Sequence, residues 1–130
     1  PMKVGKEEVV GLIAALDMWV NRRDHKAEYR EWERNLGYIA KAVTKIPGVS
    51  AEIIRPNTRS NVAPRLAISW DAAKVRISPD DAHTSLREGN PRIWMPATGN
   101  GLSIMSYMME KGDEKVVARR LREIFTAAMA

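Results

Sequence analysis

The sequence predicts an α+β domain: a small antiparallel sheet with helices packed on one face, preceded by a two-helix hairpin. Three observations predict this class. Apolar residues recur at helical spacing in three segments, a cap signal starts a further short helix, and short runs of strand formers lie between them. The predicted order is two helices, two strands, a helix, two strands and a closing helix. Strands interrupted by helices that each need an apolar face favour an antiparallel sheet with helices on one side.

The two-helix segment occupies residues 1–47. Acidic residues open the first helix, Asn21 to Asp24 interrupts the pattern, and Asp24 is placed to cap the second helix, which ends at Pro47-Gly48. The first apolar stripe contains Val9, Val10, Leu12, Ile13, Leu16, Trp19 and Val20, and the second contains Tyr29, Trp32, Leu36, Ile39, Ala40 and Val43. Because Tyr29 and Trp32 share one stripe, we assign them to the core rather than to a ligand cage.

The sheet unit, with the order β-β-α-β-β-α, occupies residues 48–130. Its first two strands are predicted at Val49 to Arg55 and at Arg65 to Trp70. The polar loop between them, residues 56–64, is too long for a tight turn. Loops of this kind are mobile connections or parts of a binding site, and we expect a mobile connection here.

The third helix begins at a compact start signal. Ser78 supplies a cap oxygen, and Pro79 presets the backbone of the first turn. We expect this helix to end at Gly89 in the left-handed conformation, with Pro91 preventing its continuation.

A β-hairpin is predicted after that helix. Its strands are expected at Arg92 to Met95 and at Leu102 to Met109, joined by a turn at Gly99-Asn100-Gly101 that tolerates positive φ. Gly112-Asp113 then starts the closing helix, whose apolar stripe runs from Val116 to Ala128.

Composition narrows the classes of function. At 130 residues the chain forms one domain, and it contains no cysteine and only two separated histidines, so we assign neither a metal site nor catalytic residues. No apolar run reaches membrane-spanning length and no leader pattern is visible, so a cytoplasmic location is expected. The net charge of +5 is spread along the chain, which favours solvated helix faces over a nucleic-acid patch.

Three motifs resemble the C-terminal part of bacterial selenocysteine synthase (L-seryl-tRNA selenium transferase) and its relatives. Residues 1–11, PMKVGKEEVVG, look like the segment that follows the pyridoxal-phosphate lysine region in that group. LREGNPRI at residues 86–93 resembles its Leu-Arg-x-Gly-x-Pro-x-Ile step, and GDEKVVARRLR at residues 112–122 resembles its closing helix. The motifs occur in the same order and cover nearly the whole chain, and they are specific only in combination.

The resemblance implies the C-terminal small domain of a fold-type-I pyridoxal-phosphate enzyme. It implies a missing N-terminal large domain that carries the Schiff-base lysine, a homo-oligomeric parent and an isolated chain without activity. The stretch Asn57 to Asn61 stands where the tRNA enzyme has a glycine-rich loop, and Ser106-Tyr107 where an arginine is expected. The resemblance therefore favours an amino acid or amino sugar acid, undergoing elimination by a lyase or transferase, over seryl-tRNA.

Small domains of this group orient the acidic end of the substrate, a task suited to the two-donor fork of arginine. Arg59, Arg87 and Arg92 are the candidates, with Lys3 and Lys6 as cations near the domain junction. The residues leave open the alternative that Arg87 braces the helix end and that the lysines are ordinary surface charges.

Two other classes of function make different predictions. A stand-alone α+β module without catalysis, which binds a small effector or an acidic partner, predicts that the apolar faces are buried internally. A fragment of a larger enzyme predicts apolar surface left over along the first helix, and three or four exposed tryptophans. A nucleic-acid binder predicts binding that depends steeply on salt.

Overall fold

The computed structural model of the chain describes residues 3–57 and 62–129. Its elements follow the predicted order, so the α+β class is confirmed. The helices are α1 (Lys6–Asp17), α2 (His25–Val43), α3 (Pro79–Arg87) and α4 (Asp113–Ala127), and a π-helical turn, Met18–Arg22, separates α1 from α2. The strands are β1 (Val49–Ile54), β2 (Arg65–Trp70), β3 (Ala97–Thr98) and β4 (Gly101–Met105).

The four strands form one antiparallel sheet in the order β1-β2-β4-β3. In this register Leu66 lies opposite Ile104 and Ile68 lies opposite Leu102. All four side chains are buried, whereas their neighbours along β2 are more exposed. The alternation shows that the sheet buries one face, as expected for helices packed on one side.

Helices α2 and α4 supply most of the helical part of the core. Leu36, Ile39 and Val43 of α2 are fully buried, as are Leu121 and Phe125 of α4. Tyr29 and Trp32, which we assigned to the core, are only partly buried at its edge. The core of the domain is therefore built by the C-terminal half of α2, α4 and the buried face of the sheet.

Helix α1 contributes no buried residue to this core. Its apolar stripe lies in solvent: Val10, Leu12 and Ile13 are 66%, 62% and 60% exposed. Among the described residues α1 has no extensive packing on the sheet or on α4, and it continues directly into the π-helical turn. This is the left-over apolar surface that the larger-enzyme interpretation predicts.

Polar contacts fix the junction between α1 and α2. Asp24 accepts a hydrogen bond from the Ala27 amide at 2.9 Å, which confirms the predicted cap. Arg23 donates two hydrogen bonds to the Glu28 carboxylate, at 2.7 and 2.8 Å. His25 Nε2 lies 2.7 Å from the Trp19 carbonyl oxygen and donates to it, so side chains of α2 hold the end of the π-helical turn.

The predicted strand at Arg92 to Met95 is wrong. This segment pairs with α3 instead, because the Ile93 amide donates to the Leu86 carbonyl at 3.0 Å and His83 Nδ1 bonds the Met95 carbonyl at 2.8 Å. The hairpin itself is confirmed, but it pairs β3 with β4 around Gly99, whose φ of +51° matches the predicted turn. The returning strand also ends at Met105, four residues earlier than predicted.

The left-handed helix end predicted at Gly89 is also wrong. Helix α3 ends at Arg87, its C-cap residue Glu88 is right-handed, and Gly89 does not have a positive φ. The predicted start of α3 is confirmed, since Ser78 Oγ accepts a hydrogen bond from the Asp81 amide at 3.1 Å.

Two expectations from the sequence concern the loop between β1 and β2 and membrane-spanning segments. Residues 58–61 of the loop between β1 and β2, Arg59 among them, lie outside the described residues, so the expected mobility of that loop stays a prediction. None of the helices within residues 3–57 and 62–129 combines the length and apolar content needed to cross a membrane.

Candidate functional site

The structure brings two of the predicted arginines to one surface hollow. Arg87 is the last residue of α3, and Arg92 follows in the segment that returns along that helix. Together with Glu88, Ile93 and Trp94 they line a hollow of about 420 Å³. We call this hollow the arginine site, and its volume is within the range of small-molecule binding sites.

The two arginines differ in their partners. Arg87 Nη2 donates to the carboxylate of its neighbour Glu88 at 3.1 Å, with both side chains about half exposed or more. Arg92 is exposed and has no ion pair among the described residues. Exposed pairs of this kind are weak, so an incoming anion can compete with Glu88 for Arg87 and can bind Arg92 directly.

Trp94 forms an aromatic wall of the arginine site, a role that the sequence analysis missed. Its side chain is 70% exposed, and its ring meets the His83 ring edge to face at 4.8 Å. The hydrogen bond from His83 to the Met95 carbonyl fixes the orientation of that contact. The position of Trp94 two residues after Arg92 was the available signal.

Arg120 of α4 supports the turn below the site and was also missed. Its Nη1 donates to Glu123 at 2.5 Å, while its Nε is buried and has no hydrogen-bond partner. A Cβ at Gly89 would lie only 2.5 Å from Arg120 Nη2 and 2.9 Å from the Ser85 carbonyl oxygen. The Arg120 side chain can move aside but the Ser85 carbonyl oxygen cannot, so close approach of the backbone rather than a left-handed φ favours glycine at position 89.

The lysine candidates lie away from the arginine site. Lys3 and Lys6 are exposed at the start of α1 and line none of the main hollows of the described surface. The remaining candidate, Arg59, falls outside the described residues. The structure thus assembles Arg87 and Arg92 alone from the predicted set.

The lysines of the chain lie in solvent, where an activated Schiff-base lysine is not expected. A Schiff-base lysine is activated by an enclosed or strongly charged environment, yet all eight lysines of the chain are exposed. Within the described part of the chain, His, Asp and Glu side chains form no group of three or more that could hold a metal ion. The polar side chains that line the arginine site are those of Arg87, Glu88 and Arg92.

The fold and the arginine site together define a class of domain. It is a small α+β layer domain with an arginine-lined hollow at one helix end and an uncovered apolar helix at its start. An exposed apolar surface of this size is typical of an interaction site.

Comparison with known proteins gives this class particular relatives. The chain is 25% identical over 126 residues to the D-glucosaminate-6-phosphate ammonia lyase of Salmonella typhimurium (strain 14028s / SGSC 2262). The aligned region covers 95% of this chain and 32% of that protein. It is 27% identical over 127 residues to a 5'-C-glycyluridine monooxygenase-decarboxylase of Streptomyces sp, with 95% and 31% covered. No family model matches the chain.

A solved structure agrees with the sequence comparison. The fold superposes on a structure of D-glucosaminate-6-phosphate ammonia-lyase with a TM-score of 0.70 and 25% identity, covering 98% of this chain and 34% of that one. The chain therefore spans about a third of the length of the curated relatives it matches.

Proposed function

We propose that the chain is the C-terminal small domain of a larger pyridoxal-phosphate-dependent enzyme that performs lyase chemistry on an amino sugar acid. One observation carries the proposal: nearly the whole chain matches about a third of an ammonia lyase that acts on D-glucosaminate 6-phosphate, in sequence and in fold. The motif resemblance to the selenocysteine-synthase-like group supports the same kind of parent. The alternative to lyase chemistry within this proposal is the transferase chemistry of the selenocysteine-synthase-like group.

The exposed stripe of α1 supports a covering body. Between Val9 and Leu16 the helix has no charged residue on any side, and all of these residues are exposed. A helix that is apolar on all sides is typical of a buried position. We propose that an N-terminal large domain of the same polypeptide covers α1.

The tryptophans give weaker support. Trp19 and Trp94 are 55% and 70% exposed, while Trp32 and Trp70 are partly buried. Two exposed tryptophans fall short of the three or four that the larger-enzyme interpretation predicts. The continuous stripe of α1 carries that interpretation instead.

In the proposed enzyme the cofactor supplies the carbanion chemistry, and its Schiff-base lysine belongs to the large domain. The contribution of this chain is binding. Arg87 and Arg92 hold the acidic end of the substrate, and Trp94 borders the space that its uncharged part occupies. We further propose that the parent is a homo-oligomer.

The test uses the polypeptide encoded by the full reading frame. It is purified, treated with borohydride to fix any Schiff base, and mapped by peptide mass spectrometry. We expect a pyridoxyl-lysine outside residues 1–130, and release of ammonia from D-glucosaminate 6-phosphate before reduction. A pyridoxyl-lysine at one of the eight lysines within residues 1–130 would contradict the placement of the cofactor, and a purified full-length protein without cofactor would contradict the class.

The arginine site is tested in the same protein with Arg92→Gln. Loss of a charge-assisted hydrogen bond is expected to raise the KM for an anionic substrate about ten- to a hundredfold. Arg65→Gln, an exposed arginine on β2, removes the same charge elsewhere and serves as the matched control. Equal KM values for the two variants would show that Arg92 does not touch substrate.

A further inference from the structure

A second concave surface lies between α2 and α4, on the side of these helices away from the sheet core. The groove has a volume of about 570 Å³, which exceeds that of the arginine site. Small side chains form its floor, and Tyr38, which is 48% exposed, stands at one wall. It is lined by Tyr38, Ala42, Lys115, Ala118, Arg119, Arg122, Glu123, Thr126 and Ala127.

Three cations line one side of this groove. Lys115, Arg119 and Arg122 have the spacing i, i+4, i+7, so they form one stripe about 10 Å long on α4. Lys115 and Arg122 have no ion pair among the described residues. The like charges of this stripe repel one another, and a bound anion relieves that repulsion. The surface is therefore complementary to a ligand with several negative charges.

One carboxylate, Glu123, faces the same groove. It accepts a hydrogen bond from Arg120 at 2.5 Å and lies 3.8 Å from Arg119. Glu123 is therefore shared between Arg120, which does not line the groove, and Arg119, which does. Lys115 and Arg122 keep their charges for a ligand, since neither has an ion pair among the described residues.

We propose that this groove binds a small polyphosphate anion, the chemistry shared by inorganic polyphosphates and the phosphate chain of nucleotides. Adjacent phosphoryl groups carry closely spaced charges that a stripe of one lysine and two arginines can neutralise together, with arginine forks matching the phosphate oxygens. A single carboxylate or monophosphate would use only part of the stripe. The proposal is independent of the proposed enzyme, because the groove shares no residue with the arginine site.

The test titrates the 130-residue chain with sodium tripolyphosphate by isothermal calorimetry. Chemical-shift changes of the backbone amides in a two-dimensional proton–nitrogen correlation NMR spectrum then map the location of binding. We expect shifts at α2 around Tyr38 and along α4 from residue 115 to residue 127. The groove variant, in which Lys115, Arg119 and Arg122 are all replaced by Gln, is expected to lose affinity at least tenfold, because charge-assisted hydrogen bonds are lost.

A matched variant separates the site from the net charge. Lys26, Arg30 and Arg65 are exposed and lie outside the groove, so their replacement by Gln lowers the net charge by the same three units. Gln has nearly the helix propensity of Lys and Arg, and Arg65 is an exposed position on β2, so both variants are expected to fold. This control is expected to bind tripolyphosphate within about twofold of the wild-type affinity, since distant exposed charges are screened.

Three results would overturn the proposal. Equal losses in the two variants would mean that binding follows net charge alone. Amide shifts confined to the arginine site would place the anion elsewhere. A single-stranded oligonucleotide whose affinity rises with its length, and exceeds that of tripolyphosphate more than tenfold, would assign the groove to nucleic acid instead.

Discussion

Polar substitutions on α1 distinguish a helix that is covered by another body from a helix that stabilises its own domain. Leu12, Ile13 and Leu16 are 62%, 60% and 53% exposed. Full burial of such a side chain stabilises by about 1.5–3 kcal/mol, so with more than half of each still exposed, a covering body would gain about 1 kcal/mol from each. Replacing all three by Gln is therefore expected to weaken that interface by about 3 kcal/mol.

The same triple variant is expected to leave the isolated domain almost unchanged. No core contact is lost, and Gln is a good helix former, so the free energy of unfolding should change by no more than about 0.5 kcal/mol. Leu36→Ala, at a fully buried position of α2, is the core control and is expected to cost about 2–5 kcal/mol.

Urea unfolding of the 130-residue chain, followed by circular dichroism, measures both effects. Binding of a hydrophobic dye reports the exposed stripe, and it should fall in the triple variant. In the full-length protein the same variant should loosen the attachment of this domain, detected as faster proteolysis near residue 24. A loss of 2 kcal/mol or more in the isolated chain would refute the reasoning, because it would mean that α1 packs on its own domain.

Two further predictions concern the backbone and the helix junction. Gly101→Ala would place a Cβ 1.8 Å from the Ile68 carbonyl oxygen, so β2 and β4 must separate at that end; we expect destabilisation of about 1–3 kcal/mol in thermal unfolding. Gly37→Ala, in α2 with no atom within 4 Å of the new Cβ, should instead stabilise by up to about 1 kcal/mol, and the same sign for both would contradict the packing argument. The hydrogen bonds from Arg23 hold the pKa of the Glu28 carboxyl below its ordinary value. The resulting stabilisation is present above the ordinary carboxyl pKa of about 4.3 and is lost as pH falls through the lowered value, so the unfolding midpoints of wild type and Glu28→Gln should differ at pH 7 and converge in acid. A constant difference across that range would exclude the Glu28 charge as the cause.

Local signals in the sequence predicted the regular elements well. Asp24 and Ser78 both act as the caps that their side chains suggest, because a cap is made within three residues and needs no tertiary partner. The strand at Arg65 to Trp70 was predicted with its observed bounds, since its pattern is bracketed by Pro64 and Asp71. These predictions depended only on residues close in sequence.

The segment after α3 was misassigned because its partners are distant. Arg92 to Met95 has the composition of a strand, but the carbonyl of Leu86 and the ring of His83 take its hydrogen bonds. The crowding at Gly89 likewise comes from the folded path of the backbone at the Ser85 carbonyl and from the end of the Arg120 side chain. Neither contact leaves a signal in a local window, so composition alone pointed to a strand and to a helix cap.

The same distinction explains why the arginine site was only half predicted. Arg87 and Arg92 were chosen for the chemistry of their side chains, and the return of the chain along α3 places them at one hollow. Trp94 completes that hollow because Met95 turns inward to the core, fully buried, and leaves its neighbour facing out. The burial of Met95 therefore sets the orientation of Trp94. We expect Met95→Ala to weaken ligand binding at Arg92 as well as to lower stability. Val43→Ala, a core substitution remote from the site, should lower stability alone. Equal anion affinity in these two variants would show that the packing of Met95 does not orient Trp94 for binding at the arginine site.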